Sequence, residues 1–129
     1  MPNLAYRSHL ALLNWMRGQS TTPPAQLYVG VMANSPNPDG TNVTEPGGNY
    51  ARKPITFTVP TSANGKTTMQ NSNAIVFGTA TVDWPQVSYL GVFDDNANLL
   101  FYGVLAAPRL IKAGDALAFS EGMVQLRMQ

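Results

Sequence analysis

YLGVFDDNANLLFYGVL, residues 89–105, holds two aromatic and aliphatic runs separated by Asp, Asn and Ala. Short runs of this kind bounded by Gly, Pro, Asn or Asp read as strands, and Asp and Asn tolerate turn geometry. Residues 87–93 and 99–105 therefore form a hairpin across DDNAN. LYVGVM, residues 27–32, is a second strand, with Leu27, Val29 and Val31 on one face and Tyr28, Gly30 and Met32 on the other. Further runs are weaker. Residues 50–59 start as a strand, break at Pro54 and resume through Ile55, Phe57 and Val59, and residues 61–65 make a turn. Strands follow at 66–70, 74–77 and 79–83, and a short one at 109–112. A closing hairpin pairs 116–120 with 123–128 across Glu121-Gly122. About eight to ten short strands at this spacing predict an all-β antiparallel sandwich or jelly-roll-like body.

The exception is NLAYRSHLALLNWMR, residues 3–17, an N-terminal α-helix. Asn3 is placed to cap it, Arg17 suits its negative C-terminal end, and Gly18 supplies a left-handed stop. Leu4, Ala5, Leu12, Trp15 and Met16 mark one apolar stripe, and Tyr6, Leu10 and Leu13 mark a second. Two apolar faces call for two partners. The sheet supplies one; the other is either more of the same domain or a neighbouring subunit, which makes Tyr6, Leu10, Leu13 and Trp15 candidate assembly contacts. Residues 19–26, QSTTPPAQ, are a linker, because Pro23-Pro24 excludes helix and central strand alike. Residues 33–49 form a long loop rich in Pro and Gly, beyond ordinary connection length and so functional or mobile.

A chain of 129 residues is expected to be one domain, spanning 1–129. Charged residues make up 12%, roughly half the usual share, and Asn, Thr, Ser, Gln, Gly and Pro replace them. The net charge of +1 gives no electrostatic reason to expect nucleic acid or an anionic membrane as partner. So little surface charge is what a subunit facing its neighbours can tolerate. With no cysteine there is no disulfide framework, thiolate nucleophile or cysteine metal site. No run reaches the length of a membrane span, and the N-terminus lacks a signal-peptide pattern, consistent with cytoplasmic synthesis.

Residues able to do chemistry are sparse. His9 lies mid-helix with no ligand partner at metal-binding spacing, so it reads as a packed or surface side chain. Asp39, Glu45, Asp83, Asp94, Asp95, Asp115 and Glu121 all fall in or beside turns. Asp94-Asp95 with Asn96 and Asn98 lacks the later bidentate Glu of a calcium loop and reads as a hairpin turn. No phosphate-cradling glycine motif, nucleophile elbow or acid pair is present, so the expectation is a non-enzyme without cofactor or metal. Asn42-Val43-Thr44 matches a glycosylation acceptor and has meaning only on a secretory route. One constellation stands apart: Glu45 and Arg52 flank the exit of the long loop, as a pair that pins the loop to the body. Alternatively, Tyr50, Trp84 and Tyr89 offer stacking faces for a host glycan.

The pieces PPAQLYVGVM (23–32), Glu45 with GGNYAR (47–52), ITFTV (55–59), AIVFGTATVDWPQVSYLGVFD (74–94), LLFYGVL (99–105) and KAGDALAF (112–119) follow the short helix in order. That order resembles small virion proteins of tailed bacteriophages, described as tail-fibre or minor tail proteins, from about Leu10 to Leu126. The resemblance implies a non-enzymatic structural subunit of the virion, present in several copies and contacting itself and other virion proteins. It carries over no catalytic residue. It gives Gly30, Gly91 and Gly103 the role of close approach, and Tyr50 and Trp84 that of core anchors. A compact chain of this size cannot be a long fibre by itself, so an adaptor, collar, baseplate or capsid-decoration role fits equally well.

Overall fold

The computed structural model describes residues 3–128 and, among them, one helix and ten strands, all paired antiparallel. In chain order these are β1 (Asn3–Leu4), α1 (Tyr6–Met16), β2 (Leu27–Met32), β3 (Lys53–Ile55), β4 (Thr61–Ala63), β5 (Lys66–Gln70), β6 (Ile75–Thr79), β7 (Val87–Phe93), β8 (Leu99–Arg109), β9 (Ala116–Phe119) and β10 (Gln125–Met128). A five-stranded sheet in the order β1-β8-β7-β2-β3 faces two smaller ones, β10-β5-β4 and β6-β9.

Register explains why β2, β7 and β8 read as nearly continuous apolar runs. Val29 lies opposite Val92 and Val92 opposite Phe101, and this row points into the main core. There it meets Ile75, Phe77, Leu117, Phe119 and Leu126 of the smaller sheets. Met32, Phe93 and Tyr102 point the other way, into a second cluster with Ala5 and Leu99 that Val43 of the long loop helps to cover. A sheet buried on both faces has no polar alternation to show.

The hairpin at residues 87–105 is present, and β8 runs on to Arg109. Several other expectations are corrected. The helix begins at Tyr6, with Ala5 at its N-cap and no side-chain cap. Asn3 does not cap it, because Asn3 and Leu4 pair with Tyr102 and Phe101 and so complete a strand ladder instead. Gly18 does turn left-handed, at φ 89°. Pro54 sits inside β3, tolerated because β3 is an edge strand and the missing N–H faces no partner. The strand ends at Ile55, leaving Phe57 with a single bridge to Asn71 and Val59 exposed. Residues 61–63 form β4, and only Asn64-Gly65 turns, both at positive φ. Residues 80–83 and 110–112 are not strands.

The closing hairpin is also corrected. β9 and β10 both exist, but β9 pairs with β6 and β10 with β5. Asn71, only 1% exposed, holds this crossing. Its Nδ2 donates to the carbonyls of Asn73 (2.8 Å) and Ser120 (3.1 Å), and its Oδ1 accepts from the Val124 N–H (2.9 Å). A buried amide with every partner in place separates strands that local sequence would join.

Asn71→Ala strips a buried N–H and two carbonyls of their partners. Stability in urea is expected to fall by about 2–4 kcal/mol, with no loss for Asn73→Ser at that crossing beyond about 1 kcal/mol.

Candidate functional site

Two features stand out, one inside the protein and one on its surface. The inner one is built on β2. Its pairing to β3 stops at Val29, so the outer edge of β2 is open from Gly30 onward. Tyr50, at the entrance to β3, reaches across this edge, and its hydroxyl accepts from the Val31 N–H at 3.0 Å. The same hydroxyl donates to Glu45 Oε2 at 2.6 Å. Arg52 grips the carboxylate from the other side, Nε to Oε2 at 3.0 Å and Nη2 to Oε1 at 2.7 Å. Its guanidinium carbon lies 3.6 Å from the centre of the Phe93 ring. The structure thus brings Glu45 and Arg52 together as a bidentate pair, with Tyr50 as a third member that the sequence reading offers only as a core anchor or a glycan-stacking face. The signal was the i, i+2 spacing of Tyr50 and Arg52 in an otherwise uncharged stretch.

Gly30 makes room for this. A Cβ there would lie 2.6 Å from Tyr50 Oη and 2.9 Å from Glu45 Oε2. Gly91, directly opposite, would meet Met32, Leu99 and Phe93, the nearest at 2.8 Å. The ring of Tyr50 stacks on Phe77 and meets Trp84 edge-on, and Trp84 is 3% exposed. Burial first, then the hydrogen bond to Glu45 and its charge, push the Tyr50 phenol far above its ordinary value of 10.

The outer feature is α1. It hangs from β8 by its first turn: the Ala5 N–H and the Ser8 hydroxyl both donate to the Leu100 carbonyl, and the Tyr6 N–H donates to Pro38. Beyond those anchors no residue of the helix is buried. Tyr6 (55%), Leu10 (62%), Leu13 (60%), Trp15 (65%) and Met16 (67%) stand exposed, with Leu12 at 40%. The reading of a helix sunk deep in its own domain is therefore corrected: β8 covers only its N-terminal end. With large side chains of roughly 150–250 Å² each, these six present on the order of 700 Å² of mostly apolar surface, beyond the ~300–600 Å² typical of a monomer's largest patch. His9 is exposed beside Tyr6, their rings 5.9 Å apart.

Residues 4–127 match the family model of Podophage GP4 fiber I protein gp80. The chain belongs to this podophage fibre family. A search of curated protein sequences found no match. Family membership makes the protein a virion component with a structural, fibre-type role, assembling with other virion proteins.

Other polar residues of this fibre protein serve turns. Asp94 accepts from the Asn96 and Asn98 N–H groups and from the Asn98 amide, at 2.8–3.0 Å. Burial opposes its charge, but those donors and the nearby Arg7 outweigh burial and hold the carboxyl below its ordinary value. Its oxygens are thus committed to the hairpin. Asp83 accepts from the Ala113 N–H, and Asp115 from the Lys112 N–H. Among the described residues, no three His, Asp or Glu side chains converge as a metal site, and no helix is long and apolar enough to cross a membrane.

Gly30→Ala is expected to lower stability by about 1–3 kcal/mol, and less in a Tyr50→Phe background where the nearest atom is gone. Denaturant unfolding of the four proteins of the cycle checks this. Neutral Tyr50 contributes stability that is complete below pH ~10 and declines above it, since the unfolded chain ionises the phenol and the folded chain does not. The stability gap between wild type and Tyr50→Phe should therefore narrow as pH rises past ~10.

Proposed function

We propose that this chain is a compact, non-catalytic unit of the fibre apparatus that joins its neighbours through α1. The observation that carries this is a helix of 11 residues with no buried side chain and an apolar surface of protein-interface size. Its size suits an adaptor or a repeated unit better than a shaft drawn from one copy. The arrangement of polar groups supports an assembly role: Glu45 is held by Tyr50 and Arg52, Asp94 by its own turn, and the Ser8 hydroxyl next to His9 is taken by the Leu100 carbonyl. A glycan-binding role draws less support, since Trp84 is sealed in the core and the Tyr50 hydroxyl is taken by Glu45 and Val31. The Glu45–Arg52 pair acts in this reading as the clamp that holds the 33–49 loop over the sheet.

Leu13→Glu and Trp15→Glu are expected to leave thermal stability within about 0.5 kcal/mol of wild type, as exposed substitutions do, and to block assembly. Light scattering of the purified proteins and incorporation into particles check the two halves separately. Unfolding of either variant would return its residue to the core; normal assembly of both would remove α1 as the contact.

A further inference from the structure

A second unpartnered apolar surface lies at the other end of β8. A groove of about 370 Å³ runs between the far half of β8 and the segment from β9 into β10, walled by Leu105, Phe119 and Met123. It is hollow because Gly103, Ala106, Ala107 and Ala118 line it where larger residues would fill it. Val104, Leu110 and Met123 stand exposed on or beside its rim. The volume is that of about a dozen waters, or roughly one indole with a leucine side chain.

An added strand is a poor occupant. Between the pairs Tyr89–Val104 and Val87–Arg109 only Ser88 faces Leu105–Pro108, so this stretch bulges out of the ladder. Pro108 also has no N–H to offer. The groove takes side chains, not backbone, and the chain presents a matching set on α1. α1 is anchored at Leu100, about 20 Å along β8 from Ala106 at ~3.3 Å per residue, and none of its residues lines the groove.

Resting on the proposal that α1 is an assembly surface, we infer that its partner is the β8–β9 groove of a second copy of this chain. The exposed apolar area of α1, on the order of 700 Å² over its two stripes, compares with the ~800 Å² per partner of a standard stable interface, and the groove takes side chains from one stripe, about half of it. Charge sets the direction. α1 and its cap carry Arg7 and Arg17 and no acid, while Glu121 adjoins the groove's Ser120 and Arg109 lies on its wall. Arg17 is drawn towards Glu121 and away from Arg109. Knob and socket on opposite ends of one strand make a heterologous contact, which propagates head to tail. A small subunit thereby extends into a fibre by repetition.

The test mixes two full-length variants: Leu13→Glu, which spoils the helix and keeps the groove, and Ala106→Trp, which fills the groove and keeps the helix. Met123→Glu serves as a second groove variant if Ala106→Trp does not fold. In sedimentation, wild type should grow with concentration beyond a dimer, and each variant alone should associate at least about 30-fold more weakly, the loss expected of a hot spot. A mixture should give a 1:1 dimer and stop, because each pair retains one intact contact. Groove variants that assemble like wild type, while Leu13→Glu does not, would overturn the groove as partner and leave α1 as the assembly surface. Normal assembly of both Leu13→Glu and Trp15→Glu would overturn both readings, whereas a wild type that remains monomeric at all concentrations would overturn the second copy as partner and leave α1 to contact other virion proteins.

Discussion

The Glu45 carboxylate is the point on which one flank of the protein turns. β3 supports β2 only as far as Val29, and an interior strand left open beyond that point would bury unpaired backbone groups. The chain solves this without another strand. Tyr50 caps the Val31 N–H, Thr44 accepts from the Ala33 N–H, and Glu45 ties Tyr50 to Arg52. Each member needs the others. Without Glu45, Arg52 would keep its charge over Phe93 with side-chain exposure of only 27%, and Tyr50 would lose its acceptor. Breaking such a partly buried pair costs about 1–3 kcal/mol, more than an exposed ion pair is worth. In a chain with 12% charged residues, this acid and base are placed where they close a loop over a sheet edge.

The glycine pair opposite one another, Gly30 and Gly91, is the condition for that arrangement. On one strand the missing side chain admits Tyr50 and Glu45, and on the other it admits Met32, Leu99 and Phe93. A β-branched residue at either position would suit a strand better by propensity and would push out the groups that cover it. Here the local preference for a stronger strand yields to what packs on top of it.

The same distinction explains what was legible in sequence. The strands around Leu27–Met32 and Tyr89–Leu105 were plain because their apolar runs are long and bounded by turn residues. The Glu45–Arg52 pairing was legible because charge is so scarce that the two had few other candidates. Partnering was not legible. Ala116–Phe119 and Gln125–Met128 look like a hairpin across Glu121-Gly122, yet Asn71, some fifty residues upstream of Ser120 and Val124, donates to one and accepts from the other. Nothing local marks an Asn as a buried spacer. Nor does apolar periodicity distinguish a buried helix from an uncovered one: Leu4 and Ala5 of the first stripe fall outside α1 and pack inward, the remaining stripe residues stand exposed, and only the extent of β8 shows that the helix lacks a cover.

Both edges of the five-stranded sheet resist strand addition. Pro54 blunts β3, and the bulge ending at Pro108 blunts the part of β8 beyond β1. Association of a β-rich subunit through its edges is the commonest route to uncontrolled stacking, and here it is obstructed at each side. What stays open is side-chain surface: a helix covered on one end only and a groove floored by Gly and Ala. Contacts of that kind discriminate by shape, since a helix must meet a hollow of its own size, whereas backbone edges accept almost any extended chain. A low-charge surface, blunted edges and an uncovered helix are therefore consistent parts of one design. Charge is not needed to keep copies apart along the two edges of the five-stranded sheet, and its scarcity leaves apolar complementarity to choose the neighbour.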